Sequence, residues 1–562
     1  MIRNKQVIPD GDVLVGTPAV PGVALGPVIR AAARVRPDMS DRTVPESERA
    51  GEAEAFRAAA ATVAARLRAR AANATGAASE VLAANAALAA DRGWLATAEQ
   101  AIGTGTPAPA AAIAASERFA GMLTKLGGVL AERVTDLRDI CDRVVAELLG
   151  APEPGIPVPE RPSILVADDL APADTAGLDP ALVIAIVTAL GGPTSHTAII
   201  ARQLNIPCVV AVPGAAGLTA GTEVLVDGGT GEIRVAPDPE RAAAALAAHR
   251  DTAARSAAWT GPGRTADGRP IEVLANVQDG AGARAAAATP AAGIGLFRTE
   301  LCFLDREAEP SVAEQAGVYR EVLDAYPGRK VVLRTLDAGS DKPLRFAGHP
   351  DEANPALGVR GLRIALRESG ILDRQLDAIA EAARGRTPVP WVMAPMVATP
   401  AEAEWFAGKV RERGLVPGVM IEVPSAALAA TAILRHVDFL SIGTNDLTQY
   451  TMAADRMSAE LAALTDPWQP PVLGLIGRTA LAGRVREKPV GVCGEAAADP
   501  LLACVLVGLG VTSLSAAAGA VAAVGAALAG VTAKDCERAA AAASTAEDPQ
   551  GARTAARAAL GY

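Results

Sequence analysis

The stretch "VDFLSIGTND", residues 437–446, is a short apolar run that ends abruptly in polar residues. An apolar run of this length, bounded by turn residues, is typical of a buried strand. Asn445 and Asp446 follow the run directly. One charged residue after a strand is usually only the start of a solvated loop, so this stretch alone predicts a strand and no function.

The same arrangement recurs throughout the chain after residue 265. Seven further apolar runs occur, with helical stretches between most of them: "IEVLANV", "GIGLFRTE", "VVLRTLDAG", "WVMAPMV", "GVMIEVP", "PVGVCGEAA" and "VTSLSA". Eight parallel strands with helical crossovers form a (β/α)8 barrel of the TIM type, whose active site lies at the carboxyl ends of the strands. We therefore predict such a barrel over residues 265–562.

Polar side chains follow five of these eight runs directly. They are Arg298 and Glu300, Arg334 and Asp337, Glu422, Asn445 and Asp446, and Cys493 and Glu495. Solvated loop starts do not readily explain the same placement on five strands. The pattern predicts a site at the mouth of the barrel.

The residue types at this mouth suggest a phosphorylated substrate. Arg298, Arg334 and Arg456 suit a phosphate with a carboxylate, because a guanidinium binds either group as a fork. Glu422 and Asp446 are carboxylates on adjacent predicted strands, and they suit Mg²⁺, which keeps some waters and shares substrate oxygens. For any one pair of these charges, a structural salt bridge is the commoner explanation.

Cys493 stands between a valine and a glycine at a strand end, and two roles are open to it. A core thiol is the usual fate of a buried cysteine. In a site that forms an enolate, the thiol would instead serve as an acid.

A second candidate site lies in "GGPTSHTAIIARQLNIPCVV", residues 191–210. Thr194 or Ser195 can cap the helix that begins there, and Gly191 lets the backbone turn tightly. A helix N-terminus favours anions and disfavours a histidine cation. His196 is therefore predicted to be a neutral nucleophile for a phosphoryl group, although a lone histidine more often simply packs beside a loop.

The N-terminal part of the chain is predicted to form a β/α domain with a helical insertion. Strand-like runs occur at 14–31 and again in "SILVADDL", "LVIAIVTAL", "IPCVVAV" and "EVLVDGGTGEIRV", the last with a hairpin turn at Asp227. Residues 45–149 are helical in pattern, and 46–74 and 122–150 are the longest segments. The predicted domains are a β/α domain of residues 1–40 and 150–237, a helical subdomain of 41–149, a helical linker of 238–264 and the barrel.

Composition excludes several classes of protein. The formal net charge of −10 argues against nucleic acid as the main partner. The first twelve residues have no apolar core, and the six cysteines are scattered, so we expect a cytoplasmic protein without a signal peptide or structural zinc. Residues 500–533 are uncharged, but their pattern favours helix, turn, strand and helix in a buried core over membrane insertion.

Taken together, these segments resemble Enzyme I of the bacterial sugar phosphotransferase system, the phosphoenolpyruvate–protein phosphotransferase family. "GGPTSHTAIIAR" is similar to its phosphohistidine segment, and "GIGLFRTELCFLDR" and "VVLRTLDAGSDKPL" to its substrate-arginine segments. "DFLSIGTNDLTQYTMAADR" and "VCGEAA" resemble its barrel signature, and "ERVTDLRDICDRVVAELLG" the end of its carrier-binding helical subdomain. The resemblance covers nearly the whole chain.

The resemblance implies a reaction and a role for each candidate residue. His196 would take the phosphoryl group of phosphoenolpyruvate, with release of pyruvate, and pass it to a histidine of the carrier protein HPr. The substrate would be bound by Arg298, Arg334, Asn445, Asp446 and Arg456. Glu422 and Asp446 would hold Mg²⁺, and Cys493 would donate a proton. The resemblance also implies a homodimer formed through the barrel.

Two other classes remain open. Enzymes of the pyruvate phosphate dikinase or phosphoenolpyruvate synthase type share the histidine segment and the barrel, but they need a nucleotide-binding domain. Fewer than 200 residues precede His196, and they contain no Walker-type glycine-rich loop. A regulatory relative without catalysis is the third class, and it should have lost His196 or an arginine.

Overall fold

The structure is a computed structural model that describes most of the chain. The described residues are 11–30, 42–73, 77–126, 128–157, 159–168, 170, 178–192, 195–304, 306–339, 344, 346, 352–456, 458, 461 and 463–561. They divide into two compact units, Met1–Ala247 and Ala248–Tyr562.

The first unit contains a mixed eight-stranded sheet. Its strands in chain order are β1 Val13–Val15, β2 Thr17–Val20, β3 Val23–Arg30, β4 Ser163–Ala167, β5 Val183–Thr188, β6 Cys208–Val210, β7 Glu223–Asp227 and β8 Glu232–Val235. Their order in the sheet is β1-β8-β7-β3-β4-β5-β6-β2. Strands β3 to β6 run parallel, and β4 is buried along its whole length, as expected for a strand covered on both faces.

Five helices are inserted between β3 and β4. They are α1 Arg49–Asn73, α2 Ala77–Ala89, α3 Arg92–Gly103, α4 Ala108–Leu126 and α5 Gly128–Leu148. A core of their own packs around Phe56 and Trp94, whose rings meet edge to face at 5.5 Å. The helical insertion predicted for this part of the chain is confirmed, while the predicted domain boundaries stay a prediction.

One helical expectation was wrong in detail. The predicted single segment at 122–150 is divided, because α4 ends at Leu126 and α5 begins at Gly128. Arg138 Nε donates to Glu117 at 3.0 Å, so the two helices return along each other as a hairpin. Glycine is a poor helix former, and the sequence has a glycine pair at 127–128, where the two helical segments meet.

The second unit is the barrel, and the predicted fold class is confirmed. Its strands are β9 Glu272–Val277, β10 Ile294–Arg298, β11 Val331–Arg334, β12 Trp391–Ala394, β13 Val416–Ile421, β14 Phe439–Gly443, β15 Val490–Cys493 and β16 Ser513–Ala517. Each strand pairs in parallel with its neighbours in the sequence, and β16 closes on β9. All eight predicted apolar runs are strands of this barrel.

The remaining α-helices that the structure describes follow in chain order. They are α6 His196–Gln203, α7 Pro239–Ala258, α8 Gly280–Ala287, α9 Val312–Ala325, α10 Leu362–Arg367, α11 Ser369–Ala382, α12 Pro400–Arg411, α13 Pro424–Leu428, α14 Ala430–Ile433, α15 Thr444–Met452, α16 Pro470–Arg486, α17 Pro500–Gly508, α18 Val521–Ala529, α19 Ala533–Ser544 and α20 Pro549–Leu560. The division between the two units falls within α7.

The uncharged stretch 500–533 has the predicted order of elements. Helix α17 is followed by β16 and α18, and all three contribute residues to the buried core of the barrel unit. Within the described residues no single helix has the length and apolar character to cross a membrane. One sharply bent pair, 518–529 with 533–544, meets the length and composition test only when its two helices are counted together.

Candidate functional site

Arg298 and Arg334 lie side by side at the mouth of the barrel. They are the last residues of β10 and β11, and they are direct partners in the register of these two strands. The Arg298 side chain makes no hydrogen bond or ion pair within the part of the chain that the structure describes. Its guanidinium donors are therefore available to a ligand.

Arg334, in contrast, is buried and held between acidic groups. Its Nη2 lies 2.6 Å from Glu300 Oε1, and its Nη1 lies 3.1 Å from Asp337 Oδ2. Burial alone would lower the pKa of Arg334, but the charges of Glu300, Asp337 and Glu422 outweigh it and raise the pKa above its ordinary value. Arg334 is therefore a permanent cation whose position is set by two carboxylates.

A further arginine, Arg360, joins this cluster and was missed by the sequence reasoning. Its Nη2 lies 3.2 Å from each carboxylate oxygen of Asp337, and its Nη1 lies 3.4 Å from Asp446 Oδ1. Arg360 follows no strand, so a search of strand ends alone does not find it. The signal that could have found it is its place in the glycine-flanked stretch "GVRGLR".

Glu422 is fully buried directly after β13 and has one unsatisfied oxygen. Its Oε1 accepts a hydrogen bond from the Met396 backbone amide at 2.6 Å, whereas Oε2 has no partner in the described structure. Burial, together with repulsion from Asp337 and Asp446, raises the pKa of Glu422 to about 8. A buried carboxylate oxygen without a partner, beside other carboxylates, is the chemistry that a hard divalent cation satisfies.

Asp446 lies in the first turn of α15, immediately after β14, and faces two arginines. Its Oδ1 accepts from Arg360 at 3.4 Å, and its Oδ2 lies 3.5 Å from Arg456 Nη1. Because β13 and β14 are neighbours, Glu422 and Asp446 leave adjacent strands as expected. Asn445 Oδ1 accepts a weak hydrogen bond, 3.4 Å long, from the Glu495 backbone amide.

Cys493 ends β15 and points into the barrel interior, where it is buried with Leu296 and Met420. The Ser441 hydroxyl donates to its Sγ at 3.3 Å. Burial raises the pKa of the Cys493 thiol above its ordinary value, although Ser441 and Arg334 act in the opposite direction. The thiol is therefore protonated at neutral pH, which suits an acid.

His196 begins helix α6 and belongs to the first unit, whereas all of the residues described above belong to the second. Ser195 is the N-cap, and its hydroxyl accepts from the Ala198 amide at 3.3 Å. Gly191 has a φ of +92°, which only glycine adopts readily. Thr194, the other capping candidate, lies outside the described residues. The capped helix start expected at His196 is present.

The described residues contain no group of three or more His, Cys, Asp or Glu side chains that could bind a metal without help. Mg²⁺ commonly takes one or two protein carboxylates and completes its shell with water and substrate oxygens. Glu422 and Asp446 fit that mode of binding, and a closed all-protein metal cage does not fit this part of the barrel.

Three family models match successive parts of the chain. The N-terminal domain of phosphoenolpyruvate-utilising enzymes matches residues 15–133, and their mobile domain matches residues 159–231, which include His196. The phosphoenolpyruvate-binding domain of these enzymes matches residues 253–533, which include the arginine and carboxylate cluster.

Curated proteins match over most of the chain. A phosphoenolpyruvate-protein phosphotransferase of Streptomyces coelicolor is 50% identical over 542 residues, which are 96% of this chain and 97% of that protein. A protein of the same name from Haloferax volcanii is 42% identical over 74% of this chain and 75% of its own. A multiphosphoryl transfer protein of Rhodobacter capsulatus is 46% identical over 70% of this chain and 49% of its own length.

Proposed function

Because the chain belongs to the phosphoenolpyruvate–protein phosphotransferase family of phosphoenolpyruvate-utilising enzymes, we propose that His196 is its phosphoryl acceptor. In the proposed reaction, the bond between the phosphorus and the enol oxygen of phosphoenolpyruvate breaks. A bond between phosphorus and the His196 imidazole forms, and pyruvate leaves. Phosphohistidine then passes the group to a histidine of the carrier HPr, the first step of the sugar phosphotransferase system.

The observation that carries this proposal is the distribution of charge at the barrel mouth. Arg334 and Arg360 are fixed by the carboxylates of Glu300 and Asp337, while the neighbouring Arg298 has no such partner. Phosphoryl transfer depends mainly on positioning and charge neutralisation. Arg298, Arg334 and Arg456 would position a dianionic phosphate and neutralise its charge. Asn445 and Asp446 would lie beside it.

Mg²⁺ is the proposed cofactor, with Glu422 and Asp446 as its ligands. When bound, Mg²⁺ supplies charge that polarises the substrate oxygens. The unsatisfied Oε2 of Glu422 supports this role. A bound cation would also offset the raised pKa of that carboxyl, because a nearby positive charge favours the ionised form.

Cys493 is the proposed proton donor to the product. Loss of the phosphoryl group leaves an electron pair on the enolate of pyruvate, and the Cys493 thiol gives its proton to the methylene carbon. The thiolate that remains would be stabilised by the Ser441 hydroxyl and by the charge of Arg334. Solvent then returns the proton to the sulfur.

The division of labour among domains is part of the proposal. Residues 1–40 and 150–237 would form the swivelling phosphohistidine domain, 41–149 the HPr-binding subdomain, and 238–264 the linker. The barrel of 265–562 would bind the substrate and form the homodimer. This enzyme would act in the cytoplasm.

Intact-protein mass spectrometry tests the proposed reaction. Incubation with phosphoenolpyruvate and Mg²⁺ should add one phosphoryl group, peptide mapping should place it on His196, and later addition of HPr should remove it. Incubation with a chelator in place of Mg²⁺ is the control. Removal of the group by AMP and phosphate instead of HPr would favour a dikinase, and no addition at all would favour a regulatory relative.

A further inference from the structure

A set of buried amide and hydroxyl groups lies behind the two strands that carry Arg298 and Arg334. Its centre is Gln375 in helix α11, which is 1% exposed. Gln375 Nε2 donates to Thr299 Oγ1 at 3.0 Å and to the Tyr319 hydroxyl at 3.1 Å. Gln375 Oε1 accepts from the Leu336 backbone amide at 3.0 Å. The side-chain amide of Gln375 therefore has partners on both of its sides.

The hydrogen bonds continue outward from Gln375 without a break. The Thr299 hydroxyl donates to the Arg334 carbonyl at 2.9 Å. The Tyr319 hydroxyl donates to Gln315 Oε1 at 3.1 Å, and Gln315 Nε2 donates to the Pro310 carbonyl at 2.9 Å. Every bond in this series joins groups that are shielded from water, which favours fully paired donors and acceptors over mobile ones.

These bonds hold the backbone at the points where the two arginines leave their strands. Thr299 directly follows Arg298, and its hydroxyl is bonded to the carbonyl of Arg334. Leu336 lies two residues beyond Arg334 and is bonded to the same glutamine. One side chain thus connects the ends of β10 and β11 to each other and to α11.

The apolar surroundings of Gln375 indicate that its polar side chain has a structural role. Gln375 lies in α11 among buried apolar residues such as Leu372, Leu376 and Ile379. A well-packed apolar side chain commonly replaces a buried polar group at little cost when all of its partners are replaced as well. A polar series with several partners instead specifies one arrangement of the elements that it joins.

We propose that Gln375 is a positioning residue that sets the separation of Arg298 and Arg334, so that both guanidiniums meet one phosphate group. The inference rests on the proposed function, because it assumes that these arginines bind phosphoenolpyruvate. Gln375 does not touch the substrate. It acts through the Thr299 hydroxyl, which bonds the Arg334 carbonyl, and through the Leu336 backbone amide.

The test is a double-mutant cycle on phosphoenolpyruvate turnover, measured as pyruvate release with HPr present. Gln375→Leu should raise the KM for phosphoenolpyruvate on the order of tenfold or more, because small displacements of binding groups have large kinetic effects. Arg298→Ala should raise KM as well. In the Arg298→Ala background, Gln375→Leu should raise KM much less than it does in the wild-type protein, because the two residues act on the same contact.

Thr479→Val is the matched control, because it removes another buried hydroxyl from the barrel unit. Thr479 bonds only within α16, to the Leu475 carbonyl at 2.8 Å, so its loss should leave KM unchanged. Tyr319→Phe is the second test variant and removes only one oxygen from the series. Like Gln375→Leu, Tyr319→Phe should raise the KM for phosphoenolpyruvate. It therefore tests the inference even if Gln375→Leu does not fold.

Two results would overturn the inference. One is an unchanged KM in Gln375→Leu and Tyr319→Phe, and the other is a full, independent effect of either variant in the Arg298→Ala background. If Arg298→Ala itself leaves KM unchanged, the proposed substrate site is wrong, and the inference about Gln375 is overturned with it. A change in KM for Arg298→Ala alone rejects only the role of Gln375.

Discussion

The start of helix α6 and the mouth of the barrel differ in the number and burial of their charged side chains. Helix α6, which begins at His196, carries one charged side chain among its described residues, Arg202 in its last turn. Leu190 before the helix and Ile199 within it are 61% and 42% exposed. At the barrel mouth five charged groups are buried and form ion pairs with one another, namely Glu300, Arg334, Asp337, Arg360 and Asp446, while Glu422 is buried without an ion pair to any described residue.

This difference matches the separate requirements of a phosphoryl carrier and of a substrate site in the proposed reaction. A carrier histidine must accept a phosphoryl group at one site and release it at another, so strong charges fixed beside it would favour one of the two sites. The substrate site has the opposite need, because preorganised charges stabilise a transition state without rearranging.

The largest expected effect is at the acceptor. His196→Ala should fold normally and take up no phosphoryl group from phosphoenolpyruvate, because the nucleophile is absent while the barrel is intact. Intact mass after incubation with phosphoenolpyruvate and Mg²⁺ measures this. His249→Ala, in the linker helix α7, is the control and should be phosphorylated fully. A phosphoryl group that remains in His196→Ala and maps to another histidine contradicts the assignment.

The next effect separates the two regions. Glu422→Ala or Asp446→Ala should slow Mg²⁺-dependent pyruvate release at least about hundredfold, the usual cost of losing an electrostatic group in a site. In these variants, His196 can be phosphorylated by phospho-HPr in the reverse reaction. It should then still return the phosphoryl group to HPr, because that step does not use the barrel. Pyruvate assays and transfer of label to HPr measure the two half-reactions.

Glu495→Ala is the control for these carboxylate variants. Glu495 lies at the same end of the barrel, but its side chain is exposed, and only its backbone amide bonds to Asn445. This variant should retain both half-reactions. Equal loss of both half-reactions in a folded Glu422→Ala protein would instead contradict the proposed separation.

A smaller effect concerns the pH dependence of stability in chelator-treated protein. The pKa of Glu422 is raised from 4.5 to about 8 in the folded state. Below pH 4.5 the Glu422 carboxyl is protonated in both the folded and the unfolded protein. Between pH 4.5 and 8 the unfolded protein loses this proton while the folded protein keeps it, so the stability of the folded protein falls as the pH rises. Glu422→Gln should therefore become more stable than the wild-type protein between pH 5 and 8, by on the order of a few kcal/mol.

Urea denaturation of the barrel at pH 5 and pH 8, in the presence of EDTA, measures this difference. The wild-type protein should lose more stability over that interval than Glu422→Gln. If both proteins change by the same amount, burial and the charges of Asp337 and Asp446 do not control this carboxyl.

The smallest effect is at the start of α6. Ser195→Ala removes the hydroxyl that caps the Ala198 amide and should lower the free energy of unfolding of the first unit by about 1 kcal/mol. Ser195→Asn supplies another capping oxygen and should retain most of the stability. Denaturation of the three proteins tests this, and equal losses for alanine and asparagine would show that the cap does not stabilise the helix.

Much of the fold was predictable because its signals are local. Apolar runs such as 437–443 have the length and residue types of strands, and the polar residues after them mark one end of each strand. The same reasoning could not foresee the reversal between Leu126 and Gly128, since both flanking segments have a helical pattern. A glycine pair lowers helix stability, but tertiary packing can override this preference, so the sequence alone does not show whether the helix continues or breaks.

The candidate site was predictable for residues that directly follow a strand. Arg298, Arg334, Glu422 and Cys493 lie at the barrel mouth or its interior, as strand ends require. Arg360 was not predicted, because it lies in a loop with no strand pattern. Its partner Asp446 is 86 residues away in the sequence. Their proposed roles stay predictions until the variants above are measured.

The order of strands and helices, the eightfold barrel, the position of His196 and the family resemblance can all be inferred from the amino-acid sequence. All of these depend on residue type and spacing within short segments. The three-dimensional arrangement is needed to show which charges are paired, why the pKa of Glu422 is raised, and how Gln375 connects two strand ends. Those properties depend on burial and on distances of about 3 Å between distant parts of the chain, which spacing along the sequence does not specify.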